Sequence, residues 1–222
     1  MGGSSNQDLI KALNRLKSIL FLYVIGSPLS AAPLLMIFGI AVGLPNMAVS
    51  LWSILYVLES PLPLFIGALF AIILLAVGGG IVVVVIEYSS LLPAFRALRR
   101  HDPSFTKPLI LVGVGCLGPA VLLLAFLVMV GEAASGRPVS IAPLLLWVGV
   151  ILLILGQIGL ATGLLKLRRK HGVSKFSMAA YMFLLNIVLS LALSPVAVIV
   201  GLVGWVLTFF AAGSALKKEG SV

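Results

Sequence analysis

The chain has 222 residues, 61% of them hydrophobic and 9% charged, whereas an ordinary soluble domain is roughly 45–50% apolar and about 25% charged. A water-soluble core of this size cannot hide so much apolar surface, so the solvent for most of it is lipid. The net charge of +9 does not point to nucleic acid, because the basic residues stand in short clusters beside apolar runs and not on a basic domain with interleaved aromatics, and the single cysteine, Cys116, excludes an intramolecular disulfide or a multi-cysteine metal site.

Residues 6–17 place Leu9, Ile10, Leu13 and Leu16 at helical spacing, with Lys11, Arg15 and Lys17 between and beside them. An amphipathic helix on the inner membrane surface is expected there, with Ser5 and Asp8 spaced as a capping box. The following charge-free run, 18–58, exceeds one span. Residues 18–43 make the first span, kinked by Ser27-Pro28 and Pro33. Residues 46–58 are expected as an outer interfacial or re-entrant helix, with Trp52 and Tyr56 in the aromatic belt. The opening resembles a signal peptide, yet its apolar core continues past the small residues before Pro33. It is therefore expected to stay as a span.

The second span, near 63–87, holds Gly78-Gly79-Gly80 and should continue as a helix to about Arg100. Leu91, Leu92, Phe95 and Leu98 form an apolar stripe there. Arg96, Arg99 and Arg100 can reach from it to lipid headgroups. His101-Asp102-Pro103 should end the helix, because the residue before proline resists the helical region. Thr106 is expected to cap the third span, 108–131. The fourth span is expected near 141–165, and its basic tail offers Arg168, Arg169 and Lys170 as further headgroup contacts. The run 176–216 divides at Ser194-Pro195 into spans near 176–193 and 195–216.

These six spans, with both termini cytoplasmic, place fourteen of the fifteen basic residues inside and Arg137 alone outside. A seventh span at 46–58 would throw the largest clusters outward, against the positive-inside bias. The expected fold is thus all-α: one polytopic transmembrane helical bundle over residues 1–222, with amphipathic interfacial helices.

An ionisable residue inside a span is a functional candidate by default. None falls near the centre of an expected span. Glu87 comes nearest, at the inner end of the second, where it is expected to pair with a local arginine or reach the interface. This weighs against a proton-coupled carrier. Both histidines stand in basic loops, so haem ligation between facing spans is not expected, and no cofactor or enzymatic site is expected. The neutral polar residues Gln157 and Asn186 should face other helices, and Gly159 and Gly163 form a GxxxG pair for close helix approach.

The stretches "FRALRRHDPSFTKPLILVGVG" and "GVILLILGQIGLATGLLKLRRKHGVSKFSMAA" resemble an archaeal multi-pass membrane family known as domain of unknown function 973. Its most distinctive part is the D-P-S-F-T-K-P loop. The resemblance implies an archaeal plasma-membrane protein and brings no activity or site residues. Two functions are therefore expected. One is a non-enzymatic accessory or assembly subunit, whose partners are membrane lipids and a membrane protein or further copies of itself. The alternative is a transporter, channel or lipid-moving protein for a neutral or apolar substrate, which a membrane-spanning polar cavity holding both Gln157 and Asn186 would favour.

Overall fold

The computed structural model describes residues 7–24, 84–134, 141–191 and 196–220. The features expected at Ser5, Ser27-Pro28, Pro33, 46–58, Gly78–Gly80 and Arg137 lie outside the described residues. The described chain is helical: α1 covers 7–24 and α2 84–101. A 3-10 turn, Pro103–Phe105, leads to α3 (Thr106–Gly115), α4 (Gly118–Ala134), α5 (Ala142–His171), α6 (Lys175–Leu191) and α7 (Val196–Gly220). Among the described residues three stretches are long and apolar enough to cross a membrane: Pro103–Met129, Ala142–His171 and Ile199–Glu219. Lys175–Leu191 is a shorter apolar helix. On the outside of the bundle Leu144, Trp147, Val188 and Ile199 are each 61–64% exposed. Water penalises such a face and hydrocarbon accepts it. The chain is an all-α protein with the marks of a multi-pass membrane protein.

Local chemistry sets the ends of these helices. Asp102 is extended, with φ −148° and ψ 113°, as a residue before proline should be, and α2 stops there. The expected cap at Thr106 is replaced by one at Asp102, whose Oδ1 accepts from the Ser104 backbone N–H at 2.8 Å. Thr106 lies inside α3, and its hydroxyl donates to the Pro103 carbonyl at 2.7 Å. The single span expected at 108–131 is interrupted at Cys116–Leu117. The reason is Pro119, which has no N–H to offer and whose ring crowds the carbonyl four residues back, at Gly115. A tight turn takes over, with Leu117 N–H donating to the Val114 carbonyl at 3.1 Å.

α5 continues beyond the expected limit of 165, through Lys166, Arg168, Arg169 and Lys170 to His171. Cations are favoured at the negative end of the helix dipole. Gly172, at φ 64°, then ends the helix in the left-handed conformation, with its N–H on the Arg168 carbonyl at 2.8 Å. Only Gly172, Val173 and Ser174 separate α5 from α6.

The amphipathic segment expected at 6–17 belongs to one helix that continues to residue 24. Its apolar face is covered by protein: Leu9, Leu13, Leu16 and Ile19 are buried in the same core as Phe95, Leu98, Phe176 and Trp205. The helical spacing of apolar residues continues past Lys17 without a breaker, so nothing divides a surface helix from a span. The upper part of α1 lies along α7, where Phe21 meets Phe209 edge-on at 5.8 Å and Tyr23 stands 6.5 Å from Trp205. Trp205 in turn takes the Phe183 ring of α6 at 4.9 Å.

α5 is the hub, with α3, α4 and α6 packed along it. Its glycines make the contacts possible, and each serves a different neighbour. A Cβ on Gly149 would strike Leu122 of α4 at 2.6 Å. One on Gly159 would meet the backbone of α3, at 2.8 Å from the Val112 nitrogen. One on Gly163 would enter the Phe95 ring of α2 at 2.2 Å. The expected GxxxG pair is therefore not one docking face: Gly159 faces α3 and Gly163 faces α2.

Candidate functional site: a buried carboxyl beside Gln157

The strongest candidate begins with Glu87 on α2. Its expected position, paired with an arginine or at the interface, is not what the fold produces. Glu87 is 6% exposed. Its side chain is hydrogen-bonded to Gln157 of α5, which can approach a carboxylate only as a donor. Gln157 is level with the middle of α5, which covers Ala142–His171. Both Glu87 and Gln157 stand nine residues from the basic rim, at Arg96 and Lys166 respectively. At ~1.5 Å per residue both lie about 13 Å inside that rim, close to half the thickness of a ~30 Å hydrocarbon layer. The protein thus carries an ionisable residue deep among its apolar helices. Glu87 Oε1 and Gln157 Oε1 are both buried and have no hydrogen-bond partner among the described residues.

Two tyrosines frame the pair. Tyr88, 1% exposed, lies in a slot where α3 and α5 touch through glycine. A Cβ on Gly156 would stand 1.9 Å from its hydroxyl, and one on Gly115 would stand 2.4 Å from the Gly156 Cα. The Tyr88 hydroxyl donates a long bond, 3.4 Å, to the Leu153 carbonyl. Tyr23 of α1 lies within electrostatic range of Glu87. Its hydroxyl covers Gly201 of α7, at 2.8 Å from a Cβ built there, and the Asn186 amide of α6 is 3.5 Å from the same point. Polar groups from α5, α2, α1 and α6 thus gather in the interior, Gln157 beside Glu87 and Tyr23 with Asn186 against Gly201. Thr162 and Thr208 instead turn inward on their own helices. Thr162 donates to the Gly159 carbonyl at 3.0 Å and Thr208 to the Gly204 carbonyl at 2.9 Å.

The basic clusters gather at one end of the bundle. Lys170 Nζ is 3.3 Å from Asp102 Oδ2, and Lys166 Nζ donates to the Ser104 carbonyl. His171 Nδ1 lies 3.1 Å from Glu219 Oε1, and Lys218 Nζ donates to the His171 carbonyl at 3.2 Å. Lys17 covers the Phe209 ring at 4.8 Å and Lys175 the Phe210 ring at 5.5 Å. Of the expected headgroup residues, Arg96, Arg99, Arg100, Arg168, Arg169 and Lys170 are all exposed at this end. Asp102 lies outside the apolar stretches, and its carboxyl is held below the ordinary aspartate range. The Ser104 backbone N–H is the main cause, ahead of Lys170.

A group whose folded pKa is depressed stabilises the fold above its unfolded value and loses that contribution as pH falls through the folded one. Thermal melts in detergent should therefore lose a small increment, within about 1 kcal/mol for so exposed a pair, as pH drops below ~4. Asp102→Asn should be slightly less stable at neutral pH and should lack that acid-side step. An unchanged step in the variant would assign it to another carboxyl.

Among the described residues no three of His, Cys, Asp and Glu come close enough together to hold a metal ion. Sequence reading missed Glu87 as a deep residue, although its nine-residue distance from Arg96 on an uninterrupted helix was a usable signal. No family model, no curated protein and no solved structure matches the chain.

Proposed function

We propose that this chain is a non-enzymatic, multi-pass membrane transport protein, a carrier or channel whose working centre is the Glu87–Gln157 pair and whose coupling ion is the proton. The carrying observation is the Glu87 carboxyl, 6% exposed with one oxygen unpartnered, level with the middle of α5. No cation stands beside it among the described residues, and a lone carboxylate in a low-dielectric interior is costly. Such a group is held there in a form that can take up and release a proton. Gln157, Tyr23 and Asn186 bring polar groups from three other helices into the same interior. The proposal takes six spans with the basic end at the cytoplasmic face, as the gathering of the basic clusters supports. The family resemblance of the loop after α2 extends it to an archaeal plasma membrane.

An accessory or assembly role would dock its partner on open small-residue faces. The glycine faces are filled from inside the chain by Tyr88, Phe95, Leu111 and Leu122. Only Gly131 and Gly213 face open space among the described glycines. Little small-residue surface is thus left for a partner among the described residues. A stoichiometric membrane partner co-purifying in mild detergent would restore the accessory role.

The test is proton movement in liposomes that hold a pH-sensitive dye, driven by a potassium potential with valinomycin. Wild-type protein is expected to collapse the imposed gradient faster than protein-free liposomes. Glu87→Gln should return the rate to that baseline. Equal rates for Glu87→Gln and wild type, or a wild type no faster than empty liposomes, would remove the proposal.

A further inference from the structure

A second site lies at the basic end, away from Glu87. Arg96, Arg99 and Arg100 stand on one face of α2, at i, i+3 and i+4. With Leu92 and with Leu109 and Ile110 of α3 they line an open groove of about 460 Å³. All three arginines are exposed. Among the described residues none of their guanidinium groups has a hydrogen-bond or ion-pair partner, and the nearest carboxylate in sequence, Asp102, is engaged by Ser104 and Lys170. Three fixed positive charges thus stand together without a counter-charge among the described residues.

The other wall of the groove is apolar. Ile110, 58% exposed, opens onto the outer face of the Pro103–Met129 stretch. The lining therefore changes from guanidinium to hydrocarbon within one cleft, at the level where an apolar helix meets its basic rim. A free phosphate needs only the first half of such a lining. An anionic lipid uses both, with its phosphate on the arginine fork and the upper part of a chain against Leu109 and Ile110.

We propose that this groove is a binding site for one anionic phospholipid, held through its headgroup phosphate by Arg96, Arg99 and Arg100. Occupancy would tie α2 to α3 across the Asp102 turn. The site goes beyond the proton-handling reading and does not depend on it.

The experiment is a lipid titration of the full-length protein in mild detergent, read as the shift of the thermal unfolding midpoint. The probes are a phosphatidylglycerol, a phosphatidylcholine of the same chains, and inorganic phosphate. Phosphatidylglycerol is expected to give a saturable rise at about one lipid per chain, phosphatidylcholine a much weaker one and inorganic phosphate none. Removing three phosphate-facing charges should weaken the apparent affinity by about a hundredfold. The triple variant Arg96→Gln/Arg99→Gln/Arg100→Gln should show this loss while keeping its lipid-free midpoint, because the three side chains are exposed. Lys11→Gln/Arg15→Gln, exposed on α1, should respond like wild type. An unchanged titration in the triple variant would overturn the proposal, as would an equal loss in the α1 variant. The same saturable rise with inorganic phosphate would overturn the lipid as occupant.

Discussion

Gly156→Ala is expected to unseat α2 from α5 and cost about 1–3 kcal/mol of bundle stability, the range for forcing extra volume into a packed interior. The new methyl would stand 1.9 Å from the Tyr88 hydroxyl and 2.8 Å from the Gly115 Cα. The first neighbour is a ring locked in a slot and the second is backbone, so neither can yield cheaply. Tyr88 cannot swing aside, because it is 1% exposed and its ring fills the space between α3 and α5. Thermal unfolding in detergent should show the loss. Tyr88→Leu in the Gly156→Ala background should recover part of it, since the shorter side chain vacates the hydroxyl position while the Gly115 contact remains. A Gly156→Ala protein with wild-type stability would show that α2 does not pack at this point.

The second large effect is an asymmetry between Glu87 and Gln157. Gln157→Leu should destabilise the bundle by about 1–3 kcal/mol, because it leaves a buried carboxyl without its donor. Glu87→Leu should do the opposite or be neutral, since it removes a polar group that already has one unsatisfied oxygen. The double variant should resemble Glu87→Leu, with the penalty of Gln157→Leu largely gone. Such a cycle measures the coupling of two neighbours directly. Additive effects of the two changes would mean that the side chains do not meet. A more stable but transport-dead Glu87→Leu protein would be the expected trade between stability and activity at a working residue.

These two sites differ in how visible they are in the sequence. The end of α2 at Asp102 and the start of α7 after Pro195 follow from local rules about proline and capping, and both lie within a few residues of the expected positions. The basic tail expected after residue 165 is instead helical as far as His171. The depth of Glu87 is hidden when charge-free runs are read as spans, because a carboxylate then marks the end of a run by definition. Measured instead along the helix from Arg96, Glu87 is already well inside. The break at Cys116–Leu117 had its signal in Pro119, which disturbs the carbonyl four residues earlier. What no single sequence could assign is the partner of each glycine on α5. Gly149, Gly156, Gly159 and Gly163 look alike in the chain, and only the tertiary arrangement sends them to α4, α2 with α3, α3 and α2.

The short connection after α5 also constrains how the bundle can move. Gly172–Ser174 is all that joins α5 to α6, and the contacts of Lys170, His171 and Lys218 fasten the same end. A relative displacement of α5 and α6 would pivot at this end and be amplified at the far one. α5, with 30 residues, is a lever ~45 Å long, and a tilt of about 5° swings its opposite tip by about 4 Å. Gln157 sits about halfway along that lever, where the same tilt would shift it by about 2 Å relative to Glu87 on α2, roughly the difference between a closed hydrogen bond and room for a water molecule.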